Sequence, residues 1–543
     1  MGVGGLWTYC KDNRPSCGQR VDFVQVAKQR DGIVLLVDYY SFEFLIIEKF
    51  WSTLSRATGN PYLKHSGGEY HTLNDYITKL IQDLKSLGIE LEFVLDGAQG
   101  TSPEVLDMRT PVWKKRYSQY VKNQSQIISM FSGEKEARDL RSSLQPLLLT
   151  TQLLMTVKAC GCPVHCVTEE ADCCIALKLQ TDLKAFAVLS NDTDFCVFEG
   201  GAMIHSEMFD MYKNIKPKTG TLLPMKPNKL ICHVVSAEKV RRSLGCPSLQ
   251  AAVERSRAFY TLAAVELDEP SNPIAALLGR GMTLGTFHSS LLAMHNGVYW
   301  ETVHIEQPSL CGKTAETALA ELRKRIYRMV LPEDVNTVTE FGISPTNQHF
   351  TGIQVDVDQY RSVPSMLNIC PGEVQENLQH FERIITHQEV ASTKSWFEDY
   401  GRRTGFLCHI LRYFLLLNWK QNLFITQDEF CALFAVVFGS RNERWHQGLR
   451  IKPSPRSATI SAWFQNVYLH AHRLLGGVLY LSDEFPTPAD IFSGAVWNSY
   501  YAYRKSEDMP TPAFSRCKNE IDQTVSSMEN RDMMKEIVNG VFG

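Results

Sequence analysis

The stretch Ile33–Asp38 reads Ile-Val-Leu-Leu-Val-Asp, five apolar residues that end in a carboxylate. A short continuous apolar run of this kind is typical of a buried strand in a parallel sheet. A second run, Leu91–Leu95, is followed by Asp96 in the same way. An acidic side chain at the end of a buried strand lies at the rim of the sheet, where open α/β folds place their sites. The two stretches predict an α/β fold with carboxylates at one sheet edge.

The first half of the chain alternates apolar runs with amphipathic segments. Strands are predicted near residues 33–38, 91–96, 163–167 and 185–190, and helices near 40–56, 71–87, 137–159 and 170–180. Strands that alternate with helices form a parallel, twisted sheet with helices on both faces. The later stretch from Ser395 to about Tyr503 is mostly helical in pattern and rich in Leu, Phe and Trp. The predicted class is therefore an α/β domain followed by a mainly α-helical C-terminal domain.

Further acidic residues come in close pairs. Glu170 and Asp172 open a predicted helix, and Asp192 and Asp194 follow the apolar run that ends at Ser190. In extended or loop backbone, residues two apart point to the same side. Gathered carboxylates repel one another unless cations neutralise them, and hard oxygen ligands suit Mg²⁺ or Mn²⁺. The pattern predicts a metal site for phosphodiester chemistry. For each residue taken alone, a helix cap or turn is the alternative explanation.

The start of the chain and the order of its acidic residues resemble a known family. The chain begins Met1-Gly2-Val3-Gly4-Gly5-Leu6, which is similar to the start of the flap endonuclease/XPG nucleases of the PIN-like superfamily. The strings Glu170-Ala171-Asp172 and Asp192-Thr193-Asp194-Phe195 are closer to one branch, the asteroid and constitutive coactivator of PPAR-gamma proteins. The resemblance covers residues 1–290 and continues more faintly through 400–505.

This resemblance implies a set of ligands and a reaction. The implied metal ligands are Asp38, Asp96, Glu170, Asp172, Asp192, Asp194 and Asp268, and the first six are also the implied catalytic residues. The implied cofactors are two Mg²⁺ or Mn²⁺ ions. The implied reaction is the cleavage of phosphodiester bonds in nucleic acid.

Two departures from the nuclease pattern bear on this expectation. Asp268 is followed by Glu269-Pro270-Ser271-Asn272-Pro273, where the flap nucleases have a glycine-rich hairpin that grips duplex DNA. Tyr39 stands where those nucleases usually carry a small residue after the first Asp. The departures argue against duplex gripping of that kind, and they predict that the ring of Tyr39 narrows the site.

A basic and aromatic segment follows the second acidic strand. It runs from Arg109 to Lys122 and includes Trp113-Lys114-Lys115-Arg116-Tyr117. In the nucleases this place holds basic residues that clamp the scissile phosphate. Its cations would neutralise phosphates and its rings would stack on unpaired bases. The predicted nucleic-acid-binding residues are Arg109, Lys114, Lys115, Arg116 and Lys122. The alternative is a solvated amphipathic helix that buries Trp113, Tyr117 and Tyr120, and the sequence leaves both open.

Length and pattern divide the chain into several parts. A chain of 543 residues is expected to form two or three domains. The predicted parts are a PIN-like domain at 1–290, a mixed connector at 291–390, an α-helical domain at 391–507 and a polar tail at 508–543. Residues 213–229 contain Pro and Lys with little periodicity and are predicted to form a loop.

Composition limits the classes of function. The net charge of −3 gives no global attraction to nucleic acid, so binding must come from a local basic patch. The longest apolar stretch, Phe406–Trp419, is shorter than the ~20 residues that cross a bilayer, and no membrane association is expected. The fifteen cysteines are expected to stay free in a reducing compartment. The cluster Cys160–Cys166 is interpreted as a helix end, a turn and a strand rather than as a zinc knuckle.

Two functions of different classes fit these features. The first is a regulatory protein of the nucleus, with the cytoplasm as a second location, and the absent hairpin, Tyr39 and the net charge favour it. The resemblance implies that such a protein binds RNA or DNA, and transcription regulators through its helical C-terminal half. The second is a working Mg²⁺-dependent, structure-specific endonuclease for RNA or for single-stranded or flap DNA, with Lys114 or Lys115 at the phosphate. Retention of the acidic set favours it, because crowded carboxylates without metal cost stability.

Overall fold

The structure is a computed structural model of the chain. It describes residues 5–97, 103–136, 144–167, 171–209, 229–246, 285–343, 349–360, 363–386, 395–420, 425–439, 452–481, 485–505, 519 and 522–542. The described residues fall into two compact units, each made of segments that are separated in sequence. The first unit draws on Met1–Ala57, Leu73–Gln99 and Leu153–Ala275, and the second on Thr58–Thr72, Gly100–Gln152 and Ala276–Gly543. The four predicted domain ranges stay a prediction.

The first unit contains a seven-stranded sheet. Its strands are β1 Gly18–Asp22, β2 Ile33–Asp38, β3 Ile89–Leu95, β4 Val164–Cys166, β5 Ala185–Ser190, β6 Ala202–His205 and β7 Ile231–Ser236. They lie in the order β1-β7-β6-β5-β2-β3-β4. The five strands from β6 to β4 pair in parallel, whereas β7 is antiparallel to β6 and to β1. The carboxyl ends of the five parallel strands therefore share one edge of the sheet.

The central strands are buried because their sequences are continuous apolar runs. Leu35, Leu36 and Val37 of β2 are fully buried, and so are Val94 and Leu95 of β3. Parallel pairing requires a crossover between neighbouring strands, and helices supply it. The helices that lie wholly or mostly in this unit are Leu6–Asp12, Arg14–Cys17, Phe23–Arg30, Tyr39–Ile46, Ser52–Thr58, Tyr70–Ser86, Leu149–Ala159, Ala171–Thr181 and Ala237–Ser243. A π-helical turn at Ile47–Trp51 and 3₁₀ turns at Thr193–Cys196 and Ser206–Met208 complete its helical elements.

The predicted fold class is confirmed, and the elements near the acidic residues lie where the sequence indicated. One helix is shorter than predicted. The segment expected to be helical from residue 137 begins its helix at Leu149, and residues 144–148 are not helical. Pro146 accounts for this, since a proline disfavours helical backbone at the residue before it. The predicted loop at 213–229 lies outside the described residues except for Lys229.

The second unit is mainly helical and includes a three-stranded sheet. Strand β9, Thr337–Ile343, lies between β8, Val298–Trp300, and β10, Phe350–Asp356. It pairs in parallel with β8 and antiparallel with β10. The helices are Leu63–Ser66, Pro103–Ser132, Gly285–His295, Ala315–Ala318, Ala320–Val330, Val374–Ile385, Trp396–Lys420, Gln427–Gly439, Pro455–His472, Pro488–Ile491, Gly494–Lys505 and Met528–Phe542. Arg473–Val478 is π-helical, and Pro308–Leu310, Asp358–Tyr360 and Met366–Asn368 are 3₁₀ turns.

The C-terminal helices pack through apolar faces, as the Leu-, Phe- and Trp-rich sequence predicts. Helix Trp396–Lys420 buries Phe406, Leu411 and Phe414 completely. The last helix, Met528–Phe542, buries Ile537 and is tied to helix Trp396–Lys420 by a hydrogen bond of 2.9 Å from the Tyr400 hydroxyl to Glu536. In the part of the chain that the structure describes, no helix combines the length and the apolar character needed to span a membrane.

Candidate metal centre

Three strands of the sheet in the first unit end at or just before an acidic residue. These acidic residues lie at one edge of the sheet. Asp38 is the last residue of β2, Asp96 directly follows β3, and Asp192 lies two residues beyond the end of β5. The strands run in register, so that Asp38 pairs with Val94 of β3 and Val37 pairs with Leu189 of β5. Parallel pairing of these three strands therefore brings the acidic positions to the same edge.

Three aspartates meet closely at this edge. One carboxylate oxygen each from Asp172, Asp192 and Asp194 lies within 4.8 Å of the other two. Asp172 is in the first turn of helix Ala171–Thr181. Asp192 begins the 3₁₀ turn Thr193–Cys196, because its side chain accepts a hydrogen bond of 3.2 Å from the backbone nitrogen of Asp194. The pattern of acidic residues two apart thus converges, through a helix start and a 3₁₀ turn, on a triad of oxygen donors.

Asp38 is held by two serine hydroxyls. Ser41 and Ser190 both donate to Asp38 Oδ2, with oxygen–oxygen distances of 2.5 Å and 2.7 Å. The Ser41 hydroxyl also accepts from the backbone nitrogen of Asn191 at 2.9 Å, and the Ser190 hydroxyl accepts from the backbone nitrogen of Asp192 at 2.9 Å. The two hydroxyls therefore connect Asp38 to the loop that carries Asp192 and Asp194.

Asp96 is positioned by a helix. Its Oδ1 accepts a hydrogen bond of 2.8 Å from the backbone nitrogen of Ala171, the first residue of helix Ala171–Thr181. A carboxylate at a helix N-terminus satisfies a free N–H group and opposes the positive end of the helix dipole. Asp96 thereby fixes the start of the helix that presents Asp172.

Burial and mutual repulsion act on the carboxylates in the same direction. The pKa of Asp172 is raised well above its usual value by burial and then by the charges of Asp192, Asp38, Asp96 and Asp194. Burial also raises the pKa of Asp38, against the hydrogen bonds from Ser41 and Ser190 that lower it. A divalent cation would neutralise this concentration of negative charge, and an all-oxygen donor set suits Mg²⁺ or Mn²⁺. The residues present therefore fit the metal that the sequence predicts.

The prediction that Tyr39 narrows the site is wrong. The ring of Tyr39 is fully buried and packs edge-on against Phe93, with ring centroids 6.4 Å apart. Its neighbour Tyr40 is the tyrosine beside the carboxylates, since burial and then the charge of Asp96 raise the pKa of its hydroxyl. The helix that begins at Tyr39 turns successive side chains to different sides, which sends the first ring into the core.

The remaining predicted ligands, Glu170 and Asp268, lie outside the described residues. Sequence reasoning did not single out Ser41, Ser190 or Tyr40. Ser190 carried a usable signal, because Ser-x-Asp at the end of an apolar run favours the local serine turn that its hydroxyl forms with the nitrogen of Asp192. Ser41 and Tyr40 carried no such signal in the sequence.

The basic segment lies in helix Pro103–Ser132 of the second unit. Trp113 is buried, and its ring lies 4.2 Å from that of Trp300 and 5.4 Å from that of Phe341. Tyr117 is half-buried and its ring lies 5.2 Å from that of Phe350. Lys114, Lys115, Arg116 and Lys122 are exposed, and Arg109 is half-buried. The amphipathic alternative therefore describes the packing, and Trp113 is not placed to stack on a base.

The cysteines follow the interpretation favoured from the sequence. Gly161 has φ +70° in a turn after helix Leu149–Ala159, and Val164–Cys166 forms β4. All fourteen cysteines in the described residues are free thiols. Within those same residues, the Asp172, Asp192 and Asp194 triad is the one group of three or more metal-binding side chains that converges. Residues 160–166 therefore have the turn and the strand that the sequence interpretation gave them.

Neither a protein-family model nor a curated protein matches this sequence. Among solved structures, the chain is similar to the catalytic core of Rad2 in complex with DNA substrate, at 15% identity and a TM-score of 0.27 over 47% of this chain and 60% of that one. It is also similar to a second structure of the Rad2 catalytic core, at 18% identity and a TM-score of 0.24 over 52% of this chain and 68% of that one. The chain thus spans less than two thirds of the first of these structures.

Proposed function

We propose that this chain is a divalent-metal-dependent nuclease built on a PIN-like fold of the flap endonuclease/XPG type. The observation that carries the proposal is the convergence of Asp172, Asp192 and Asp194, whose carboxylate oxygens lie within 4.8 Å of one another. The triad stands at the carboxyl edge of a mostly parallel sheet, which is the usual place for a site in an α/β fold. Phosphodiester hydrolysis is the reaction class that such a carboxylate cluster serves.

The described residues divide into ligands and residues that position them. Asp172, Asp192 and Asp194 would hold the metal directly, and Asp38 and Asp96 would complete the negative site. Bound Mg²⁺ or Mn²⁺, as one or two ions, would activate water and stabilise the leaving oxygen. Ser41 and Ser190 hold Asp38 in place, while Asp96 fixes the start of the helix that bears Asp172. The tight hydrogen bonding of Asp38 and Asp96 keeps the carboxylates together when no cation opposes their repulsion. Glu170 and Asp268 are proposed ligands on the resemblance alone.

Nucleic acid is the proposed substrate. The exposed cations of helix Pro103–Ser132 form a local basic surface on a chain whose net charge is −3. Such a surface attracts phosphates through counterion release, whatever the base sequence. We expect substitution of Lys114, Lys115, Arg116 and Lys122 by Gln to weaken binding uniformly across sequences and to reduce its dependence on salt. Because Trp113 is buried, the contribution of this helix is electrostatic.

Cleavage of labelled substrates tests the proposal. Single-stranded, flap and hairpin forms of DNA and RNA would be incubated with the protein in Mg²⁺ and in Mn²⁺. We expect metal-dependent cleavage by the native protein and none by the Asp192→Ala/Asp194→Ala variant. Asp12→Ala, at an exposed position in the same unit, is the matched control and should cleave normally. Intact metal binding without cleavage of any substrate would refute the nuclease proposal.

Metal binding without cleavage would favour the regulatory function predicted from the sequence. In that case, the carboxylate edge would be a recognition or structural feature, and the helical second unit would be the place to look for protein partners. Transcription regulators as partners, a nuclear location and membership of the asteroid branch all rest on the resemblance and stay predictions. Affinity capture of partners by the Asp192→Ala/Asp194→Ala variant, compared with the native chain, would test whether partner binding needs the carboxylates.

A further inference from the structure

A cluster of basic side chains surrounds one edge strand of the sheet in the first unit. Among the described residues, β1 is the outermost strand on its side of the sheet and pairs with β7 alone. Arg20 of β1 lies directly opposite His233 of β7 in the antiparallel register. Residues opposite each other in such a pair point to the same face, with Cβ atoms about 5 Å apart. These two basic side chains are therefore neighbours.

A third basic side chain reaches this strand from a helix. Lys239 belongs to helix Ala237–Ser243. Its Nζ donates to the carbonyl of Gly18 at 3.4 Å and to Gln19 Oε1 at 3.0 Å. The ammonium group thus lies against the first two residues of β1.

Arg14 completes the group. It is the first residue of the short helix Arg14–Cys17, which leads directly into β1. Burial lowers the pKa of His233, and the charges of Arg14, Lys239 and Arg20 lower it further. The three cations therefore lie close enough to this half-buried ring to act on it together. Arg14, Arg20 and Lys239 form a basic surface, the β1 patch.

No carboxylate balances the β1 patch. In the part of the chain that the structure describes, none of its three side chains forms an ion pair. Asp22, at the end of β1, instead caps the next helix by accepting from the backbone nitrogen of Val24 at 3.2 Å. Glu238, the neighbour of Lys239 in sequence, pairs with Arg242. Like charges that lie together without a countercharge lower stability, so the patch does not serve the fold.

Protection of the sheet edge accounts for only part of the patch. A charged residue on an outer strand keeps other chains from pairing with it, and Arg20 alone would do this. Arg14 and Lys239 come from two separate helices, and both arginines are exposed. Gathered cations of this kind attract a ligand with several negative charges. A nucleic-acid backbone is such a ligand, because every nucleotide carries a charged phosphate.

The β1 patch lies on the same sheet as the metal centre. Strands β6 and β7 separate β1 from β5, the strand that leads to Asp192. Three strand spacings of about 4.8 Å make about 14 Å. A stacked nucleic-acid strand rises about 3.4 Å per nucleotide, so about four nucleotides cover this distance. Because β7 is antiparallel to β6, the end of β1 at Asp22 lies at the carboxyl edge, and Arg20 is two residues from it.

We propose that the β1 patch binds phosphates of the nucleic-acid strand on which the metal centre acts, about four nucleotides from the scissile bond. The identity of the anion rests on the proposed function. The contact is with the backbone, so it positions the strand without reading its sequence. The patch belongs to the first unit and is distinct from the cations of helix Pro103–Ser132 in the second.

Fluorescence anisotropy with a labelled single-stranded oligothymidylate tests the proposal on the full chain. EDTA in the buffer separates binding from cleavage. We expect Arg14→Gln/Arg20→Gln to weaken binding at least about tenfold at about 0.1 M salt. The slope of log K against log salt should become shallower by about 1.4, since each phosphate contact with a single strand contributes about 0.7. Lys28→Gln/Lys184→Gln is the matched control, because it removes two exposed cations of the same unit that lie outside the patch. The control should bind like the native chain.

Two further measurements separate a binding role from a structural one. Lys239→Gln removes the cation that comes from the other helix, so it should weaken binding independently, even if the double arginine variant misfolds. The Tm is the second measurement. Because the patch has no countercharge, the Tm of Arg14→Gln/Arg20→Gln should equal or exceed that of the native chain.

The outcomes distinguish this proposal from the nuclease proposal. Native affinity in both patch variants would overturn the patch and leave the nuclease proposal standing, and a lower Tm with retained binding would do the same. Failure of the native chain to bind the oligonucleotide would also overturn the patch. Binding through the patch without cleavage in Mg²⁺ or Mn²⁺ would refute the nuclease proposal and leave the phosphate contact in place.

A competitor identifies the class of anion. Unlabelled oligothymidylate should displace the labelled strand far better than poly-glutamate at equal concentration of charge, because the proposed ligand is a phosphate backbone. Equal displacement by poly-glutamate would assign the patch to an acidic protein surface and overturn the proposal.

Discussion

The hydroxyl of Ser190 lies 2.7 Å from Asp38 Oδ2, which joins two residues that are 152 positions apart. The same hydroxyl accepts from the backbone nitrogen of Asp192 at 2.9 Å. One side chain thus fixes a carboxylate at the end of β2 and the backbone that begins the acidic turn after β5. The relationship means that Asp38 and the triad cannot shift independently, and this makes the arrangement of the metal centre sensitive to a residue that is not acidic.

Replacement of Ser190 by Ala should therefore damage both stability and metal binding. The change leaves the half-buried carboxylate of Asp38 and the backbone N–H group of half-buried Asp192 each short of a partner, which costs roughly 1–3 kcal/mol in the free energy of unfolding. It also frees Asp38 to move, so that Mn²⁺ affinity should fall. Urea unfolding and Mn²⁺ titration by calorimetry would measure the two effects.

The control for Ser190→Ala is Ser118→Ala. Ser118 is exposed and its hydroxyl donates only to the carbonyl of Lys114, one helical turn earlier, at 2.7 Å. We expect this control to change neither unfolding nor Mn²⁺ affinity. Unchanged Mn²⁺ affinity in Ser190→Ala would show that Asp38 does not need the hydroxyl to keep its place.

Bound metal should stabilise the native state. When no metal is present, removal of negative charges from the triad should also stabilise it. A ligand that binds only the folded chain contributes about 2.7 kcal/mol at a hundredfold excess over its Kd, so Mn²⁺ should raise the Tm. Burial and then the charges of neighbouring aspartates raise the pKa of Asp172, and the Asp192→Asn/Asp194→Asn variant removes two of those charges. We expect this variant to melt at a higher temperature than the native chain in EDTA and to show no further rise with Mn²⁺. Differential scanning fluorimetry in EDTA and in Mn²⁺ would measure the Tm of the variant and of the native chain.

Exposed Asp12 provides the comparison for that experiment. Asp12→Asn removes one negative charge away from the acidic edge and should keep the full Mn²⁺ shift of the native chain. If the Asp192→Asn/Asp194→Asn variant retained the Mn²⁺ shift, the triad would not be the metal site.

The strands of the first unit were predictable because their signal is local. A run such as Ile33–Asp38 is buried wherever it lies, and the observed β2 and β5 have the predicted bounds. The convergence of Asp172, Asp192 and Asp194 follows from the same rule, since parallel strands carry their following residues to one edge. Spacing together with the resemblance therefore included these three residues in the wider set of seven predicted ligands.

Features that depend on distant partners were not predictable. The partners of Trp113 are an example, because β8 and β9 supply Trp300 and Phe341 and nothing within helix Pro103–Ser132 identifies those strands. Ser41 and Tyr40 acquire their roles from the register between β2 and β5 and from the helix start after Asp38. The grouping of residues 100–152 with the C-terminal half likewise arises from long-range contacts. Local periodicity contains none of this information.

A buried ion network in the second unit yields a further prediction. Arg323 is fully buried and donates to Glu316 at 3.0 Å and to both oxygens of Glu340 at 3.1 Å and 3.2 Å. Removing one partner of a buried ion pair leaves uncompensated charge and costs about 3–5 kcal/mol. We expect Arg323→Met to destabilise the chain by about that amount in urea unfolding.

The next residue of the same helix provides the control. Lys324 pairs with Glu321 at 2.8 Å near the surface, where such pairs contribute about 0–1 kcal/mol. Lys324→Met should therefore unfold close to the native chain. The triple variant Arg323→Met/Glu316→Gln/Glu340→Gln removes the uncompensated charges and should recover part of the loss. If Arg323→Met and Lys324→Met lowered the free energy of unfolding equally, the buried network would stabilise the chain no more than a surface ion pair does.

Buried histidines should make the second unit sensitive to acid. Burial lowers the pKa of His65 and of His470 to about 3 and that of His472 to about 4. A histidine whose folded pKa lies below its unfolded value of about 6.5 binds fewer protons when folded, so stability falls as pH drops below 6.5. Each such residue contributes a slope of up to about 1.4 kcal/mol per pH unit between its two pKa values. We expect His470→Gln to flatten the fall in urea-unfolding free energy between pH 6.5 and about 4, while His349→Gln, at an exposed position, leaves the native slope unchanged. If the unfolding free energy of His470→Gln fell with pH as steeply as that of the native chain, groups other than His470 would cause the acid sensitivity.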